Sequence, residues 1–258
     1  MILESKLLDW RVIPQWDWAK IKTESEFLSI VIPAYEEIDN LRNLLPRINH
    51  QVNIISDLNY EILVVLPSFT TKDEIDTIKN LNATPIIRNP TDNFGDALRS
   101  GFLALDSRST HVITMDADGS HRPERINDLY SIAKNCDIGI ASRYIKGGST
   151  DNSALLRFMS RFLNLIYSFV LKIDCKDIST NFKIYKSKDL KKINLRCNNF
   201  DIVEEILFKI HLLHNRNTQI IEIPDHFYNR DLGVTKRKLG PFIITYIFTL
   251  IRLRFRVK

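Results

Sequence analysis

Short apolar runs alternate with helix-length segments from residue 27 onward, and this alternation most limits what the chain can fold into. The runs that predict strands lie at 28–32, 61–66, 84–87, 111–115, 137–141 and 219–223. Helical patterns lie at 38–49, 72–80, 93–105, 122–134, 155–171 and 202–214, the third opened by Asn93 as a cap. Strands alternating with helices predict an α/β fold with a mainly parallel sheet. Because no repeat, low-complexity tract or linker interrupts the pattern, we expect one domain with short appendages.

The composition supports a globular core and a reducing environment. Of the 258 residues, 44% are hydrophobic and 26% charged, which excludes a disordered, collagen-like or disulfide-scaffold chain. The cysteines, Cys136, Cys175 and Cys197, are odd in number and widely spaced, so they predict neither a disulfide framework nor a zinc site. We therefore expect a cytoplasmic protein.

Positive charge is concentrated in the last part of the chain. Residues 230–258 contain eight basic side chains against Asp231 alone, so the rest of the chain carries a small net negative charge. Such a tail indicates an anionic partner: phospholipid, a phosphorylated substrate or nucleic acid. The ten apolar residues 242–251 lie inside this tail and are too few to cross a bilayer, which needs about 20, so we expect them to lie in a membrane interface.

The first 26 residues predict an N-terminal extension. They contain several acidic residues and no continuous apolar run, so they do not predict a signal peptide. Trp10, Trp16 and Trp18 all lie here. Their rings suit a membrane interface and suit packing across the outer face of the domain equally well.

Polar residues that directly follow the predicted strands are the candidate site residues, because ligands of open α/β sheets bind beyond the carboxyl ends of the strands. The first strand leads into Pro33, Ala34, Tyr35 and Glu36. Tyr35 offers a ring on which a base can stack, and Glu36 offers an acceptor for ring nitrogens or ribose hydroxyls. The alternative is an ordinary turn with acidic residues at a helix N-terminus.

Two carboxylates, Asp116 and Asp118, follow the fourth predicted strand. At the end of a buried strand they repel each other unless a cation lies between them. A divalent ion held by one or two carboxylates, water and phosphate oxygens is the usual arrangement for magnesium on a nucleoside diphosphate. The alternative is an exposed Asp- and Gly-rich turn. His121 is either a metal ligand or a turn residue.

Arginines near two further segments indicate phosphate binding. Arg143 follows the fifth strand and precedes a Gly-Gly pair, and its fork matches phosphate oxygens, although a surface ion pair would also explain it. The apolar segment 155–171 carries Arg157 and Arg161 one turn apart. It is either a buried helix with two snorkelling arginines or a helix at a membrane surface that presents cations to lipid phosphate.

Six motifs, in chain order, resemble those of the inverting family 2 glycosyltransferases with the GT-A fold. The resemblance is strongest to the branch of dolichol-phosphate mannose synthases and related polyprenyl-phosphate hexose synthases. It runs from about Leu28 to Lys236. The matching segments are Val31-Ile32-Pro33-Ala34-Tyr35-Glu36-Glu37, Asn93-x-Gly95-x-Ala97 through Gly101-Phe102, Asp116-Ala117-Asp118-Gly119-Ser120-His121-Arg122-Pro123, Ser142-Arg143-Tyr144, Asp177 through Lys183, and Glu222-Ile223-Pro224 through Lys236.

The resemblance implies a domain division and a role for each matching residue. The implied parts are an N-terminal extension (1–26), a GT-A domain (27–236) and an apolar-basic C-terminal helix (237–258). Pro33, Ala34, Tyr35 and Glu36 would hold the nucleotide, Asp116 and Asp118 the ribose and the diphosphate with its Mg²⁺ or Mn²⁺, and Arg143, Arg230 and Lys236 the phosphates. Asp118, Arg143 and an acid on the helix before the last strand would act in catalysis. That acid is Glu205, or Glu204 if the match shifts by one residue.

One departure from the family pattern concerns base recognition. After the second strand the relatives carry D-D-G-S, whose first acid contacts the base and ribose, whereas this chain has Leu66-Pro67-Ser68-Phe69. The side chains of leucine and proline accept no hydrogen bond, and proline also lacks a backbone donor. We therefore expect base recognition to be altered, weakened or lost.

The resemblance implies a metal-dependent inverting hexosyltransferase peripheral on the cytoplasmic face of the membrane. The donor would be GDP-mannose or a UDP-hexose, and the acceptor a polyprenyl phosphate or another lipid-linked acceptor. Two alternatives are a transferase of surface polysaccharide or glycolipid assembly and a catalytically degenerate GT-A scaffold. Nucleic acid is not an expected partner, because ten apolar residues interrupt the basic tail. No G-x-G-x-x-G follows the first strand, which disfavours a dinucleotide oxidoreductase.

Overall fold

A mixed sheet of seven strands forms the centre of the computed structural model, which describes residues 26–232 and 239–256. The strands in chain order are β1 Phe27–Pro33, β2 Asn59–Leu66, β3 Thr84–Ile87, β4 His111–Thr114, β5 Ile138–Ser142, β6 Ser149–Thr150, β7 Lys183–Lys186, β8 Ile220–Pro224 and β9 His226–Phe227. The large sheet has the order β3-β2-β1-β4-β7-β5-β8, and β6 pairs with β9 in a separate two-stranded sheet. Within the large sheet β7 runs antiparallel to its neighbours, and the other pairs are parallel.

Helices cover both faces of this sheet. They are α1 Ile38–Asn53, α2 Lys72–Asn80, α3 Phe94–Leu103, α4 Arg125–Ile132, α5 Ala154–Leu171, α6 Ser187–Leu190, α7 Ile202–Leu213 and α8 Leu239–Arg256, with a 3₁₀ turn Ala133–Asn135 after α4. Asn93 caps α3 as predicted, because its side-chain oxygen accepts a hydrogen bond of 2.7 Å from the Asp96 N–H. The predicted α/β fold with a mainly parallel sheet is therefore confirmed.

The six predicted strands are all present, within one or two residues of their expected bounds. Their runs are continuously apolar because both faces of the sheet are buried. In β1, Val31 packs in the cluster that contains α3 and α7, whereas Ile30 and Ile32 pack in the cluster that contains α1 and α4. The short strands β6, β7 and β9 were not predicted.

The order of the strands on either side of β1 determines where the binding crevice lies. The chain runs outward from β1 to β2 and β3 on one side, and β4 then returns on the other side of β1. A reversal of this kind opens a crevice at the carboxyl ends of the two strands, where ligands of α/β proteins bind. Pro33 at the end of β1 and Asp116 shortly after β4 both lie at this crevice.

The helix α3 approaches the sheet closely at Gly101. A Cβ atom at this position would lie 2.4 Å from Val31 Cγ1 and 3.1 Å from Val65 Cγ2, closer than packed carbon atoms tolerate. The glycine therefore lets α3 pack directly against β1 and β2.

We predict that Gly101→Ala lowers the free energy of unfolding by about 1–3 kcal/mol, because overpacking outweighs the gain in helix propensity. The measurement is equilibrium urea denaturation. The double variant Val31→Ala/Gly101→Ala serves as the control, and it should recover stability relative to the sum of the two single variants. Strict additivity of the two single effects would contradict the proposed contact.

Candidate active site

A cavity of about 410 Å³ opens at the carboxyl ends of β1, β4 and β5. Its floor comes from the segments that follow these strands, and its opposite wall comes from α5, α8 and the segment after β8. The polar and charged lining residues include Tyr35, Glu37, Asp116, Asp118, Arg143, Asn152 and Arg230, and the apolar ones include Leu156, Met159 and Leu163. The sequence-predicted residues Pro33, Tyr35, Asp116, Asp118, Arg143 and Arg230 are thus brought together in one place.

The two carboxylates after β4 are oriented by neighbouring polar groups. One oxygen of Asp118, Oδ1, accepts hydrogen bonds from the Ser120 N–H at 3.1 Å and the Ser120 hydroxyl at 2.5 Å. One oxygen of Asp116, also Oδ1, accepts from the Asn181 amide at 3.0 Å. Asp116 and Asp118 are 16% and 23% exposed at the cavity. Paired carboxylate oxygens beside open space are the ligands that Mg²⁺ and Mn²⁺ prefer.

A buried imidazole lies behind the carboxylates. His121 is 2% exposed and is packed between the rings of Phe182 and Phe227. Among the described residues neither ring nitrogen makes a hydrogen bond, although Nε2 lies 3.4 Å from Asp116 Oδ2. A buried ring nitrogen without a hydrogen bond, next to the Asp116 carboxylate, fits a divalent ion or the shell of groups around it. The residues present are therefore compatible with the implied metal.

Arg143 does not have the free fork expected of a phosphate clamp. Its backbone N–H and Nε both donate to Asp177 Oδ2, and Nη2 donates to Asp177 Oδ1 at 2.7 Å. Burial alone would raise the pKa of the Asp177 carboxyl, but the Arg143 guanidinium holds it below its ordinary value. Both groups are buried, so Arg143 does form an ion pair, but the pair lies in the interior and not at the surface. Nη1 is the guanidinium nitrogen that donates to no described residue.

Arg230 and Glu37 link the segment after β9 to the segment between β1 and α1. Arg230 donates to Glu37 Oε1, and its Nη2 lies 3.5 Å from Asp118 Oδ2. Glu37 also accepts a hydrogen bond of 2.6 Å from Asn40. A cation beside the Asp118 carboxylate is well placed for phosphate oxygens at the cavity floor.

Two of the residues predicted to hold the nucleotide after the first strand, Ala34 and Glu36, are not part of the cavity lining. Ala34 is buried and Glu36 is exposed, and neither lines the cavity. Glu36 has a positive φ of 55°, a left-handed backbone conformation that departs from the extended path of β1. Its neighbour Glu37, which sequence reasoning did not select, lines the cavity instead.

The acids on α7 do not reach the cavity. The Glu205 carboxylate accepts from the backbone N–H groups of Arg196 and Cys197 at 2.8 and 2.7 Å, and Lys209 lies 2.8 Å away. These contacts tie α7 to the preceding loop, and Glu205 is not among the described residues that line the cavity, so the structure gives no support to a role for it at the substrate. Glu204 is also buried, and it lies near Tyr246, which does line the cavity.

A second group of potential metal ligands lies away from the cavity. Among the described residues, Asp137, Asp189 and His214 place three ligand atoms within 4.8 Å of one another. Asp137 precedes β5, so this cluster lies at the amino ends of the strands, on the opposite edge from Asp116 and Asp118. Lys186 donates to Asp137 at 2.7 Å and balances part of its charge. We interpret the cluster as an ion-pair network.

Some expected site residues cannot be placed and others were missed. Lys236 lies outside the described residues, and so do the three N-terminal tryptophans. Asn181, which orients Asp116, lies inside the matching segment Asp177 through Lys183, but sequence reasoning gave it no role. The apolar lining of α5 was visible as a helical pattern, but the pattern does not reveal which side faces a cavity.

Comparisons with known proteins agree with this geometry. The model of the glycosyl transferase family 2 matches residues 29–194. The chain is 32% identical over 233 residues to the dolichol-phosphate mannosyltransferase of Pyrococcus furiosus, covering 88% of this chain and 63% of that protein. It is 28% identical over 222 residues to the polyprenol monophosphomannose synthase of Mycolicibacterium smegmatis, covering 80% and 79%. The chain thus spans less than two thirds of the length of the P. furiosus relative.

Solved structures share the fold. Glucosyl-3-phosphoglycerate synthase from Mycobacterium tuberculosis, in complex with Mn²⁺, UDP-glucose and phosphoglyceric acid, superposes with a TM-score of 0.68 at 12% identity, covering 94% of this chain and 85% of that one. The complex of the same protein with Mg²⁺ and UDP gives a TM-score of 0.66 at 13% identity, covering 93% and 84%. At this identity the comparison shows the fold alone, and it confirms the GT-A architecture.

The buried carboxyl of Glu204 gives a prediction about pH. Loss of solvent raises its pKa from 4.5 to about 8, although Lys183 and Tyr246 favour the charged form. Between these values the folded protein retains a proton that the unfolded chain has released, so this group makes stability fall as pH rises. The free energy of unfolding of the wild type should therefore fall relative to that of Glu204→Gln between about pH 5 and about pH 8.

Urea denaturation of both proteins across this range measures the difference. Glu205→Gln is the matched control on the same helix. The pKa of Glu205 is lowered, so the carboxylate is ionised in the folded and unfolded states alike throughout this range, and the difference from wild type should stay constant. A constant difference for Glu204→Gln as well would contradict the proposed protonation.

Proposed function

The chain belongs to glycosyl transferase family 2, and from that premise we propose that it transfers a hexose from a nucleoside-diphosphate sugar to a polyprenyl phosphate at a membrane surface. The donor diphosphate binds at Asp116 and Asp118 together with Mg²⁺ or Mn²⁺. The named activities of the P. furiosus and M. smegmatis relatives support a mannosyl group as the hexose and a polyprenyl phosphate as the acceptor.

The observation that carries the proposal is the position of α5 between the cavity and the outer surface. On one side of the helix, Leu156, Met159 and Leu163 line the cavity that contains Asp116 and Asp118. Leu156 is also 38% exposed, so the apolar lining reaches the surface at the cavity mouth. An acceptor with an anionic head and a hydrocarbon tail fits a cavity that is charged at its floor and apolar along one wall.

The opposite side of α5 is an exposed apolar surface, which we call the outer face of α5. It consists of Leu155, Phe158, Phe162, Leu165 and Phe169, each more than half exposed. The helix α8 packs beside α5 and adds further exposed apolar residues, namely Phe248, Ile251 and Phe255. A contiguous apolar surface of this kind is unfavourable in water and marks a site of association.

Cations on the same helices favour a lipid surface as the partner. Arg157 and Arg161 are exposed on α5, and Arg252 and Arg254 lie on α8. Lipid headgroup phosphates are anionic, so basic side chains beside exposed aromatic rings suit an interfacial helix. By length and composition α5 could also span a membrane, with only 17% of it buried. Its contribution to the cavity wall supports a position along the surface instead.

The chemistry of the acceptor removes the need for a strong base. A lipid monophosphate loses its second proton with a pKa of about 6, so it is anionic near neutral pH. In the transfer, an oxygen of that phosphate forms a bond to the anomeric carbon, and the bond from this carbon to the donor diphosphate breaks. When bound, the metal supplies positive charge that stabilises the diphosphate leaving group. This mechanism agrees with the absence of Glu204 and Glu205 from the described cavity lining.

The chain's own residues bind and orient the substrates. Asp116 and Asp118 provide the carboxylate oxygens that bind the metal. Asn181 orients Asp116, and Ser120 orients Asp118. Arg230 adds a positive charge 3.5 Å from Asp118. Preorganised charge at the position where negative charge develops is the usual largest contribution to rate in such transfers.

Metal-dependent nucleotide binding tests the proposed function. We expect isothermal titration calorimetry to show that at least one of GDP, UDP, CDP and dTDP binds in the presence of Mg²⁺ or Mn²⁺, and at least about tenfold more weakly without metal. Asp118→Asn should abolish the increase in nucleotide affinity that the metal produces. The control Asp76→Asn, an exposed acid on α2, should bind as the wild type does. Failure of every nucleotide to bind would contradict the transferase and favour the degenerate scaffold.

Vesicle binding tests the membrane surface separately. Burial of a phenylalanine side chain contributes about 1.5–3 kcal/mol. The double variant Phe158→Glu/Phe162→Glu should therefore bind phosphatidylglycerol vesicles with an affinity at least about a hundredfold lower, as measured by cosedimentation. Nucleotide binding in solution should be unchanged. Leu103→Glu provides the matched control, because Leu103 is 88% exposed on α3, away from the outer face of α5. Equal vesicle binding by the double variant and the wild type would exclude this surface.

A further inference from the structure

A second open groove lies between α8 and the end of α5 that is far from the catalytic cavity, and we call it the α5–α8 groove. It is formed by residues 168–170 of α5, residues 172–174 after it, and residues 250, 251, 254 and 255 of α8. Its volume of about 790 Å³ is within the range of ligand-binding pockets. Leu156 lines the cavity and Phe169 lines the groove, and their separation along the helix corresponds to roughly 20 Å. The groove is therefore a separate site.

The end of α5 forms one wall of the groove. The helix ends at Leu171, and Lys172 has the left-handed conformation of a helix cap, with a φ of 59°. The Ile173 N–H donates back to the Ser168 carbonyl at 3.0 Å, so the chain turns sharply at this point. As a result, Ile173 is buried, whereas Lys172 and Asp174 are exposed beside the groove.

The second wall is α8, whose opposite side is fixed to α7. The Thr249 hydroxyl donates to the Asp201 carboxylate at the start of α7. Arg252 is turned to the same side, where its Nη2 lies 3.9 Å from Asp201 Oδ2. Ile251 and Arg254, by contrast, are exposed and line the groove. The helix therefore presents polar contacts to α7 and a mixed apolar and cationic surface to the groove.

The groove combines apolar walls with positive charge. Its apolar lining residues are Phe169, Val170, Ile173, Leu250, Ile251 and Phe255. Lys172 and Arg254 contribute two cations, and Asp174 is the acid among the described lining residues. Neither Lys172 nor Arg254 forms an ion pair with a residue that the structure describes. Both cations are therefore available to an anionic ligand.

The groove is continuous with the surface that the proposed function turns toward a bilayer. Phe169 belongs both to the groove and to the outer face of α5, and Ile251 and Phe255 belong to the exposed apolar residues of α8. Apolar walls beside cations complement an amphiphile that carries an anionic phosphate on hydrocarbon chains. A water-soluble phosphate would leave the apolar walls exposed to water, and an uncharged hydrocarbon would not use the two cations.

We propose that the α5–α8 groove binds one molecule of an anionic membrane phospholipid. An acyl chain lies along the apolar walls, and the headgroup phosphate contacts Lys172 and Arg254. This inference deepens the proposed function by naming the lipid that the membrane-facing side recognises, and it rests on that function for the position of the bilayer. The bound lipid holds one end of α5 at the membrane while the other end forms a wall of the catalytic cavity.

A titration with dihexanoyl phosphatidylglycerol below its critical micelle concentration tests the groove without a bilayer. We expect saturable shifts in the amide NMR signals of residues 168–174 and 250–255. Dihexanoyl phosphatidylcholine should bind about tenfold more weakly, because its choline group cancels the negative charge of the phosphate. Glycerol 3-phosphate has the phosphate without acyl chains, and it should produce no shifts at concentrations that saturate the groove with phosphatidylglycerol.

Two variants separate the contribution of charge from that of the apolar walls. Arg254→Gln should weaken phosphatidylglycerol binding at least about fivefold and leave phosphatidylcholine binding nearly unchanged. Ile251→Asn should weaken the binding of both lipids at least about fivefold, since it removes part of an apolar wall. Lys188→Gln and Leu103→Asn are the matched controls, because both residues are exposed and neither lines the groove, and they should bind as the wild type does.

Three results would overturn the lipid site. The first is the absence of phosphatidylglycerol binding, or binding that neither Arg254→Gln nor Ile251→Asn weakens. The second is tighter binding of farnesyl phosphate at the same amides, which would assign the groove to the acceptor. The third is a wild-type dimer in sedimentation velocity that Ile251→Asn converts to a monomer, which would assign the groove to a second copy of the chain. Circular dichroism spectra and urea midpoints equal to those of the wild type show that the variants are folded.

The outcomes also separate the groove from the proposed function. Metal-dependent nucleotide binding without binding of the soluble phosphatidylglycerol would overturn the groove and leave the transferase standing. Binding of the soluble lipid by a protein that binds no nucleotide would overturn the transferase and support the groove.

Discussion

The ion pair between Arg143 and Asp177 holds together the side of the cavity that β5 and α5 form. Asp177 is fully buried and receives three hydrogen bonds from Arg143. Glu222 in β8 accepts from the backbone N–H groups of Lys176 and Asp177, and Asn164 on α5 accepts from the Ser179 N–H. One buried pair therefore joins β5, β8, α5 and the loop between them. Removing one partner of such a pair costs about 3–5 kcal/mol, because the other charge stays buried.

The antiparallel strand β7 explains why part of the site escaped sequence reasoning. In a parallel sheet, ligand-binding residues follow the strands, so Asp116 and Asp118 could be predicted from their position after β4. Because β7 runs the other way, the residues that precede it lie at the same edge and carry Asn181 to Asp116. The strand itself was not recognised because Lys183 interrupts its apolar pattern. That lysine is buried, and its ammonium donates to the carbonyls of Ile178 and Thr180.

Neighbouring glutamates on α7 show a different limit of prediction. Glu204 and Glu205 are equivalent in sequence, but successive side chains on a helix point about 100° apart. Glu205 reaches backbone N–H groups and Lys209, whereas Glu204 faces the buried side near Lys183 and Tyr246. Arg143 is a similar case, since only the folded chain brings Asp177 to it from 34 residues away. The fold class was predictable from local patterns, and these pairings depend on distant segments.

The two sides of helix α5 face different surroundings, the cavity on one side and the outer surface on the other, so its apolar residues have to keep a fixed spacing. Its inner side contributes Leu156, Met159 and Leu163 to the cavity, and in its second half Asn164 and Tyr167 pack inward, while the phenylalanines point the opposite way. Inserting one residue would turn everything beyond it by about 100° and bring phenylalanines toward the polar loop at Ser179. We therefore expect α5 to tolerate a change of one exposed apolar residue for another better than an insertion between Leu156 and Leu171.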